Sequence, residues 1–416
     1  MRILMLTNFY PPHHLGGLEE CCAEVTDALQ RRGHLVRVLT SRHRARSAVG
    51  GDGARAVDVR RLLYPEVDLR PFRASVEFFI GRRRRLRQNL ACFAETLATF
   101  RPDIVMVWGM WNLPRALLLL AERHAQPKVV YYLCDYWPTL PGAYTLYWQE
   151  KARHRATRFL KHVLGRLAAW VDRRQEPPPS LKWEHAICAS RAVRERLVAA
   201  GLPFASAAVI HPAIDAAPFL EAGAARERRD GPLRVGYAGR LVPEKGVHVA
   251  IEALAALVRD GHRATLAVTG RGDGEYQREL RDMSTRLGVR HLVTFRHAVP
   301  RAEIPGIMAA IDVLAVPSLW AEPLGRVVEE GMAAGLVVVG TAVGGTPEIV
   351  EDGINGLLCP PGNAEALAHC IARVITDPAL AIRLRQAARA TIEARFTLPR
   401  MVDQIERYLH SVLEGG

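Results

Sequence analysis

The chain has 416 residues, 49% of them hydrophobic and 24% charged, which excludes a disordered protein and predicts a globular one with two domains. Its net charge of +13 favours anionic partners, namely phosphate-bearing ligands, acidic lipid headgroups or nucleic acid, without choosing among them. Aromatic residues make up 7% of the sequence, which argues against a stacking platform for single-stranded nucleic acid.

The amino terminus and the cysteines bear on location. The opening MRILMLTNFYPP has too short an apolar core for a secretory signal peptide, and no apolar run approaches the roughly 20 residues that span a bilayer. Seven cysteines are scattered without a C-x-x-C pair. We therefore expect a cytoplasmic protein with reduced thiols.

The first half of the chain alternates predicted strands and helices. RILML is typical of a buried strand, and the loop PPHHLGG leads into a helix with apolar residues at Cys22, Val25 and Leu29 that ends at Gly33. LVRVLT, PDIVMVWG and KVVYYLCD are the next predicted strands, with the helical LPRALLLLAERHA between the last two. This alternation predicts a parallel sheet that is covered on both faces.

The same plan restarts after a charged, Ala/Gly-rich linker, EAGAARERRDGP. LRVGYAGRLVPEKG again predicts a strand, a glycine loop and a helix, and HLVTFRHAV, DVLAVPS and LVVVGTA supply later strands. The sequence therefore predicts an α/β fold of two Rossmann-like, doubly wound parallel-sheet domains facing an interdomain cleft. We assign residues 1–220 to the first domain and 232–395 to the second, with a helix over 396–416 that can return to the first domain.

Two loops of the second half carry charges at predicted strand ends. In YAGRLVPEKG, Arg240 and Lys245 place two cations beside a helix start, which suits a diphosphate, although two surface cations would give the same pattern. In PSLWAEPLGRVVEEGMAAG, Glu322 precedes a helix that starts near Pro323, and Glu330 lies inside it. The start of this helix, with its backbone N–H donors, favours a bound anion. The alternative is that the motif has no ligand and that Glu329 and Glu330 form an exposed helix face.

Other glycine loops give weaker signals. VTGRGDG, which contains Gly270, departs from G-x-G-x-x-G and is either a nucleotide-facing loop or a plain turn. In the first half, Gly16 and Gly17 start a helix next to His13 and His14, where backbone N–H groups can approach a phosphate or a sugar. The sequence has no D-x-D pair and no His/Asp cluster with metal spacing, so a metal-bridged diphosphate is not indicated.

The sequence resembles the retaining nucleotide-sugar glycosyltransferases of the two-Rossmann-domain (GT-B) type, known as glycosyltransferase group 1 or family four. The resemblance covers nearly the whole chain, and it implies that the domain of residues 1–220 binds the acceptor and that of residues 232–395 binds the nucleotide sugar. It rests on GGLEE, ICASRAVRERLVAAG, VIHPAIDAAPF, GRLVPEKG and EPLGRVVEEGMAAG, and in the last motif seven residues separate the two glutamates Glu322 and Glu330. HPAID departs from the Asn–Gly that is usual in the family, and we interpret His211 as part of a crossing loop.

The resemblance implies a role for each matching residue. Arg240 and Lys245 would neutralise the donor diphosphate, Glu330 would bind the ribose hydroxyls, and Glu322 with nearby backbone would orient the donor sugar. The donor contacts implied are Gly16, Gly17, Arg240, Lys245, Gly270, Glu322, Pro323, Leu324, Gly325 and Glu330, and the implied catalytic residues are Glu322, Asp135, Arg240 and Lys245. The implied donor is a UDP-, GDP- or ADP-sugar and the implied acceptor is a glycan, lipid-linked sugar or small-molecule hydroxyl, with retention of configuration and no metal cofactor.

One departure from the family concerns the end of the strand KVVYYLCD. The family usually has His–Asp where this chain has Cys134–Asp135. A thiol is a poor hydrogen-bond donor, so the role of the histidine does not carry over to Cys134, whereas Asp135 still matches. The expected acceptor or sugar contacts are His13, His14, Asp135 and Cys134.

The segment 150–180 predicts a helix with one apolar stripe surrounded by arginines and lysine. The stripe consists of Ala156, Phe159, Leu160, Val163, Leu164, Leu167 and Val171. We favour a stripe that packs on the first domain, and the alternative is a helix that lies on anionic lipid. Three other functions compete with glycosyl transfer. They are hydrolysis or epimerisation of a nucleotide sugar on the same fold, nucleic-acid binding on charge alone, and a nicotinamide dehydrogenase, which the first glycine loop disfavours.

Overall fold

The computed structural model describes residues 1–13, 16–43, 49–50, 57–67, 75, 77–124, 126–150, 158–173, 180–225 and 231–415. The chain divides into two compact units. The first contains Met1–Ala189, Val193–Ile210 and Val402–Gly416, and the second contains Ser190–Ala192 and His211–Met401.

The first unit is built on a sheet that has eight strands in the described residues. In spatial order they run β3, β4, β2, β1, β5, β6, β7, β8, and every neighbouring pair is parallel except β3 with β4. The strands are β1 (Arg2–Thr7), β2 (Leu35–Ser41), β3 (Val49–Gly50), β4 (Asp58–Leu63), β5 (Ile104–Gly109), β6 (Lys128–Leu133), β7 (His185–Cys188) and β8 (Ala208–Val209). Central strands such as β5 are buried at every residue, as a parallel sheet covered on both faces requires.

Helices connect these strands. They are α1 (Gly17–Arg31), α2 (Arg82–Phe100), α3 (Ala116–Glu122), α4 (Ala143–Gln149), α5 (Arg158–Arg173) and α6 (Arg191–Ala199), and a π-helical turn over Glu77–Gly81 precedes α2. The predicted apolar face of α1 is confirmed, because Cys22, Val25 and Leu29 are fully buried. No disulfide joins the seven cysteines, all of which lie in the described ranges.

The second unit has a parallel sheet of six strands in its described residues, in the order β11, β10, β9, β12, β13, β14. The strands are β9 (Leu233–Ala238), β10 (Ala264–Thr269), β11 (Val293–Arg296), β12 (Val313–Val316), β13 (Val337–Thr341) and β14 (Leu357–Cys359). The order reverses between β9 and β12, and open α/β sheets bind ligands beyond the carboxyl ends of the strands at such a point.

Helices cover both faces of the second sheet. They are α7 (Ala217–Ala224), α8 (Val247–Arg259), α9 (Gly274–Arg286), α10 (Ile304–Ala309), α11 (Arg326–Ala333), α12 (Thr346–Ile349), α13 (Ala364–Thr376) and α14 (Pro378–Arg395), and α15 (Leu398–Glu414) ends the chain. Small residues let α11 approach the sheet closely, since a Cβ on Gly331 would lie 2.5 Å from Leu314 Cδ2.

The units do not begin where the sequence places the domains. Residues 211–220, which we assigned to the first domain, belong to the second unit, because Phe219 of α7 is buried in the core of that unit with Met332 and Ala334. Part of the linker, residues 226–230, lies outside the described residues.

The carboxyl-terminal helix α15 is divided between the two units. Its residues from Val402 onward cluster with the first unit. Glu406 accepts a hydrogen bond from Arg32 Nη1 at 2.7 Å and lies 2.6 Å from His34 Nε2, and Tyr408 donates to the carbonyl of Ala186 at 3.2 Å. Partial burial acts to raise the pKa of Glu406, but the hydrogen bonds from Arg32 and His34 outweigh it, so the pKa lies below its usual range.

No helix in the described part of the chain has both the length and the hydrophobicity that a membrane span requires.

Candidate active site

The second sheet brings together the charged loops that the sequence singled out. Strands β9 and β12 are parallel neighbours, so their carboxyl ends meet at one edge. Arg240 follows β9 and lies exposed in a loop that Tyr237 holds by donating to the carbonyl of Arg240 at 2.6 Å. Lys245 lies further along the same loop, before α8.

Lys245 and Glu322 form the central ion pair of this edge. The Lys245 ammonium donates to Glu322 Oε1, and Ser318 Oγ donates to Glu322 Oε2 at 3.0 Å. The side chains of Lys245 and Glu322 are 15% and 13% exposed, so both charges are largely removed from water. The Lys245 ammonium also lies 5.9 Å from the centroid of the Trp320 ring.

Glu330 forms a second ion pair at the same edge. Glu330 lies on α11 and is 5% exposed. Arg301 Nη1 donates a hydrogen bond to Glu330 Oε1. Arg301 precedes α10 and is itself 38% exposed. The alternative of an exposed face at Glu329 and Glu330 is wrong, because Glu329 is fully buried as well.

Close backbone approaches fix the loops that carry these side chains. Gly246 has a φ of +68°, and a Cβ there would lie 1.9 Å from the carbonyl oxygen of Pro317. A Cβ on Gly270 would lie 1.8 Å from the carbonyl oxygen of Gly239, and one on Gly344 would lie 2.0 Å from that of Glu322. Only glycine fits these contacts, which press the loops after β9, β10, β12 and β13 together.

The predicted donor contacts of the second half thus converge. Pro323 and Gly325 are buried and Leu324 is partly buried just before α11, and the N–H of Gly345 donates to the carbonyl of Glu322 at 2.8 Å. Gly270 is buried at the end of β10, so it is a close-packed residue of this edge rather than a plain exposed turn.

The predicted contacts of the first half lie at the carboxyl edge of the other sheet. Gly16 and Gly17 are exposed at the start of α1, where the N–H of Gly16 donates to Glu19 Oε2 at 3.1 Å. A Cβ on Gly16 would meet open space, so this glycine is not required by packing. His13 lies in the preceding loop, and His14 lies outside the described residues.

Strand β6 ends at Leu133, so Cys134 and Asp135 lie in the bend that follows and are both partly buried. Asp135 Oδ1 accepts a hydrogen bond from the N–H of Trp137 at 3.0 Å. Desolvation raises the pKa of Asp135 to about 6, although this hydrogen bond acts to lower it. Burial, with Cys21 and Asp135 nearby, raises the pKa of the Cys134 thiol well above its usual range, so Cys134 is a neutral thiol at physiological pH.

Sequence reasoning missed three polar residues of the second unit. Arg301 and Ser318 were not singled out, although they hold the two predicted glutamates. Glu348 accepts hydrogen bonds from the N–H groups of Arg191 and Ala192, both at 2.9 Å, and lies 2.9 Å from His211 Nε2. Burial acts to raise the pKa of Glu348, but these hydrogen bonds outweigh it and lower the pKa. The crossing loop at His211 is therefore anchored by a buried carboxylate.

Two family models match consecutive parts of the chain. The model described as glycosyltransferase family 4 matches residues 15–217, and the model described as glycosyl transferases group 1 matches residues 221–391. The two parallel-sheet α/β domains have the architecture of the GT-B fold. The chain belongs to glycosyltransferase group 1, and the protein is an enzyme that transfers glycosyl groups.

Curated relatives align with nearly the whole chain. A Mycobacterium tuberculosis glycogen synthase is 29% identical over 413 residues, which covers 95% of this chain and 91% of the relative. A GDP-mannose-dependent alpha-(1-6)-phosphatidylinositol monomannoside mannosyltransferase of the same organism is 27% identical over 425 residues, covering 98% of both chains.

Solved structures share the fold. Sucrose-phosphate synthase from Thermosynechococcus elongatus aligns with a TM-score of 0.76 at 19% identity over all of both chains. HepE from Anabaena in complex with UDP aligns with a TM-score of 0.67 at 25% identity, covering 99% of this chain and 100% of that one.

Proposed function

We propose that the protein transfers a sugar from a UDP-, GDP- or ADP-sugar to a hydroxyl group of a glycan, a lipid-linked sugar or a small molecule. Transfer proceeds with retention of configuration and needs no metal ion. The observation that carries the proposal is the convergence of Arg240, Lys245, Glu322 and Glu330 at one edge of the second sheet. The solved complex of HepE with UDP supports a nucleotide donor.

Each part of the donor has a complementary group. Arg240 and Lys245 supply positive charge for the diphosphate, and the backbone at the start of α11 adds N–H donors. The buried carboxylate of Glu330 is suited to accept hydrogen bonds from the ribose hydroxyls, because a desolvated acceptor favours a partner that can donate two hydrogen bonds. In this proposal Arg301, which already holds Glu330, orients it for the ribose.

The proposed chemistry relies on positioning and electrostatics. The bond between the anomeric carbon and the phosphate oxygen breaks, the acceptor oxygen bonds to the same face, and the acceptor proton passes to the departing phosphate. Lys245 stabilises the negative charge that develops on that phosphate. Glu322 is bound by Lys245 and Ser318, so we assign it to orientation of the donor sugar rather than to nucleophilic attack.

Nucleotide binding provides the direct test. We expect one of UDP, GDP, ADP and CMP to raise the Tm of the wild-type protein, because a ligand that binds only the folded state stabilises it. Glu330→Gln should lower the apparent affinity for that nucleotide by about tenfold, since it removes a charged hydrogen-bond acceptor, and the Tm shift should shrink accordingly. Differential scanning fluorimetry with each nucleotide measures both results. Glu393→Gln, at an exposed glutamate of α14, is the control. No shift with any nucleotide would contradict a donor site here.

Product analysis tests the reaction type. With the nucleotide so identified, we expect NMR to show a product with the same anomeric configuration as the donor, and EDTA to leave the rate unchanged. A product of opposite configuration would refute the same-face mechanism. Release of free sugar that does not depend on an added acceptor would instead favour the hydrolase alternative.

A further inference from the structure

Helix α5 turns a row of apolar side chains toward solvent. Phe159, Val163 and Leu167, spaced four residues apart, are 79%, 46% and 47% exposed. Our favoured interpretation of the stripe in 150–180, that it packs on the first domain, is therefore wrong for these residues. Ala156 of that stripe lies outside the described residues, as do the side chains of Leu160 and Val171.

The opposite side of α5 is the one that packs. Ala168 is buried in a cluster with Ala143 and Tyr144 of α4, and Gly165 packs on the Trp148 ring. The Lys161 ammonium lies 4.5 Å from the centroid of the Tyr147 ring. Since α5 is fixed to the unit by these contacts, the exposed row is a defined surface of the unit and not a loosely placed helix.

A second exposed apolar pair lies next to the same aromatic cluster. In the π-helical turn before α2, Phe79 is 39% exposed and Ile80 is 81% exposed. The Phe79 ring lies 6.0 Å from that of Trp148, the residue that packs on Gly165 of α5. Ile80 and Phe159 are the two most exposed large hydrophobic side chains in the described part of the chain.

Positive charge borders this apolar surface. Arg83, Arg84 and Arg87 are exposed on the first turns of α2, directly after Ile80, and Arg166 is exposed on α5 beside Leu167. Glu77, at the start of the π-helical turn, is paired with Arg85, whose Nη2 lies 2.5 Å from Glu77 Oε1. Exposed apolar side chains with exposed arginines next to them in sequence match an anionic lipid surface, which offers headgroup charge outside and hydrocarbon within.

We propose that Phe159, Val163 and Leu167 of α5, together with Phe79 and Ile80, dock the first unit onto an anionic bilayer. The apolar side chains enter the boundary between headgroups and acyl chains, and the arginines contact the phosphates. A protein of net charge +13 binds anionic vesicles weakly through charge alone, so the apolar row is the distinguishing part of the proposal. This inference does not depend on the donor or on the acceptor.

Vesicle co-sedimentation of the full chain tests the proposal. We expect the wild-type protein to bind phosphatidylcholine vesicles that contain about one third phosphatidylglycerol, at physiological ionic strength. It should not bind vesicles made only of phosphatidylcholine. Phe159→Ser with Leu167→Ser should weaken binding at least about tenfold, since two large apolar side chains leave the bilayer. The matched control is Ile354→Ser with Ile382→Ser, which removes two side chains of the second unit that are 60% and 52% exposed.

A charge-matched pair separates this surface from general electrostatics. Replacing Arg83, Arg84 and Arg87 with glutamine should weaken binding more than replacing the exposed Arg278, Arg286 and Arg383 with glutamine. Equal losses in the two sets, or an unchanged affinity in the Phe159/Leu167 variant, would overturn the proposal. So would a wild-type dimer in solution that the Phe159/Leu167 variant converts to a monomer, since a second copy would then cover the row. The Tm of each variant shows that it is folded.

Discussion

Replacing Lys245 with alanine is expected to lower kcat/KM for sugar transfer by about 100- to 1000-fold. In the proposed reaction the ammonium faces the phosphate that accumulates negative charge as the glycosidic bond breaks. Its side chain is only 15% exposed, so water cannot replace the lost charge effectively. Steady-state kinetics with the donor identified by thermal shift would measure the loss.

Two companion variants make this result specific. Lys245→Arg keeps the positive charge and should recover part of the rate. Lys182→Ala, which removes an exposed lysine of the first unit, should leave the rate unchanged. Loss of Lys245 also leaves Glu322 with Ser318 as its side-chain donor among the described residues, so the Tm of the variant must be compared with that of the wild type. Wild-type kinetics in a folded Lys245→Ala protein would show that the diphosphate binds elsewhere.

Replacing Asp135 with asparagine is expected to make the protein more stable and less active. The pKa of Asp135 is about 6 in the folded protein against its ordinary value of 3.8. Because the unfolded chain releases this proton first, folding loses stability as the pH rises from about 4 through about 6. Asparagine stays neutral and can still accept from the N–H of Trp137, so the free energy of unfolding near pH 7.5 should rise by about 1 to 3 kcal/mol.

The activity of this variant should move in the opposite direction. If the Asp135 carboxylate accepts a hydrogen bond from a sugar hydroxyl, asparagine should lower kcat/KM by about tenfold or more. The wild-type rate should then fall as the pH drops below about 6. Urea unfolding at pH 4 and pH 7.5 measures the first effect, and pH profiles of kcat/KM measure the second. A wild-type pH profile in the Asp135→Asn enzyme would show that Asp135 has a structural role and does not contact the substrate. The same measurements on Cys134→Ala give the contribution of the neighbouring thiol.

The alternation of strands and helices was predictable because each central strand is a short run of apolar residues between loops rich in glycine and proline. DVLAVPS and LVVVGTA correspond to Val313–Val316 and Val337–Thr341. Strand β14 was missed, because Leu357–Cys359 is three residues long and stands among turn signals at EDG and NG. KVVYYLCD was predicted two residues too long, since the chain bends at Cys134.

The chemistry at the strand ends was predictable where a motif held several charges at fixed spacing, as with Lys245, Glu322 and Glu330. Arg301 carries no such signal, because a single arginine in the loop HAVPRAEIP resembles any surface cation. Its pairing with Glu330 requires a contact between residues 29 apart in the chain, which depends on how β11 and α10 lead to the edge of the sheet. The exposure of Phe159 was also beyond the sequence, since the helical period shows that a stripe exists but not which side of the helix is covered.

The ion pair between Lys245 and Glu322 has a consequence for selectivity. Any anion that binds the Lys245 ammonium must compete with a carboxylate that is already in place. Inorganic phosphate can make only that exchange, because it carries no ribose whose hydroxyls could donate to Glu330. A nucleoside diphosphate can offset the exchange with its ribose hydroxyls. The built-in carboxylate would thus protect the enzyme from inhibition by the small anions that are abundant around it, at the expense of some affinity for the donor itself.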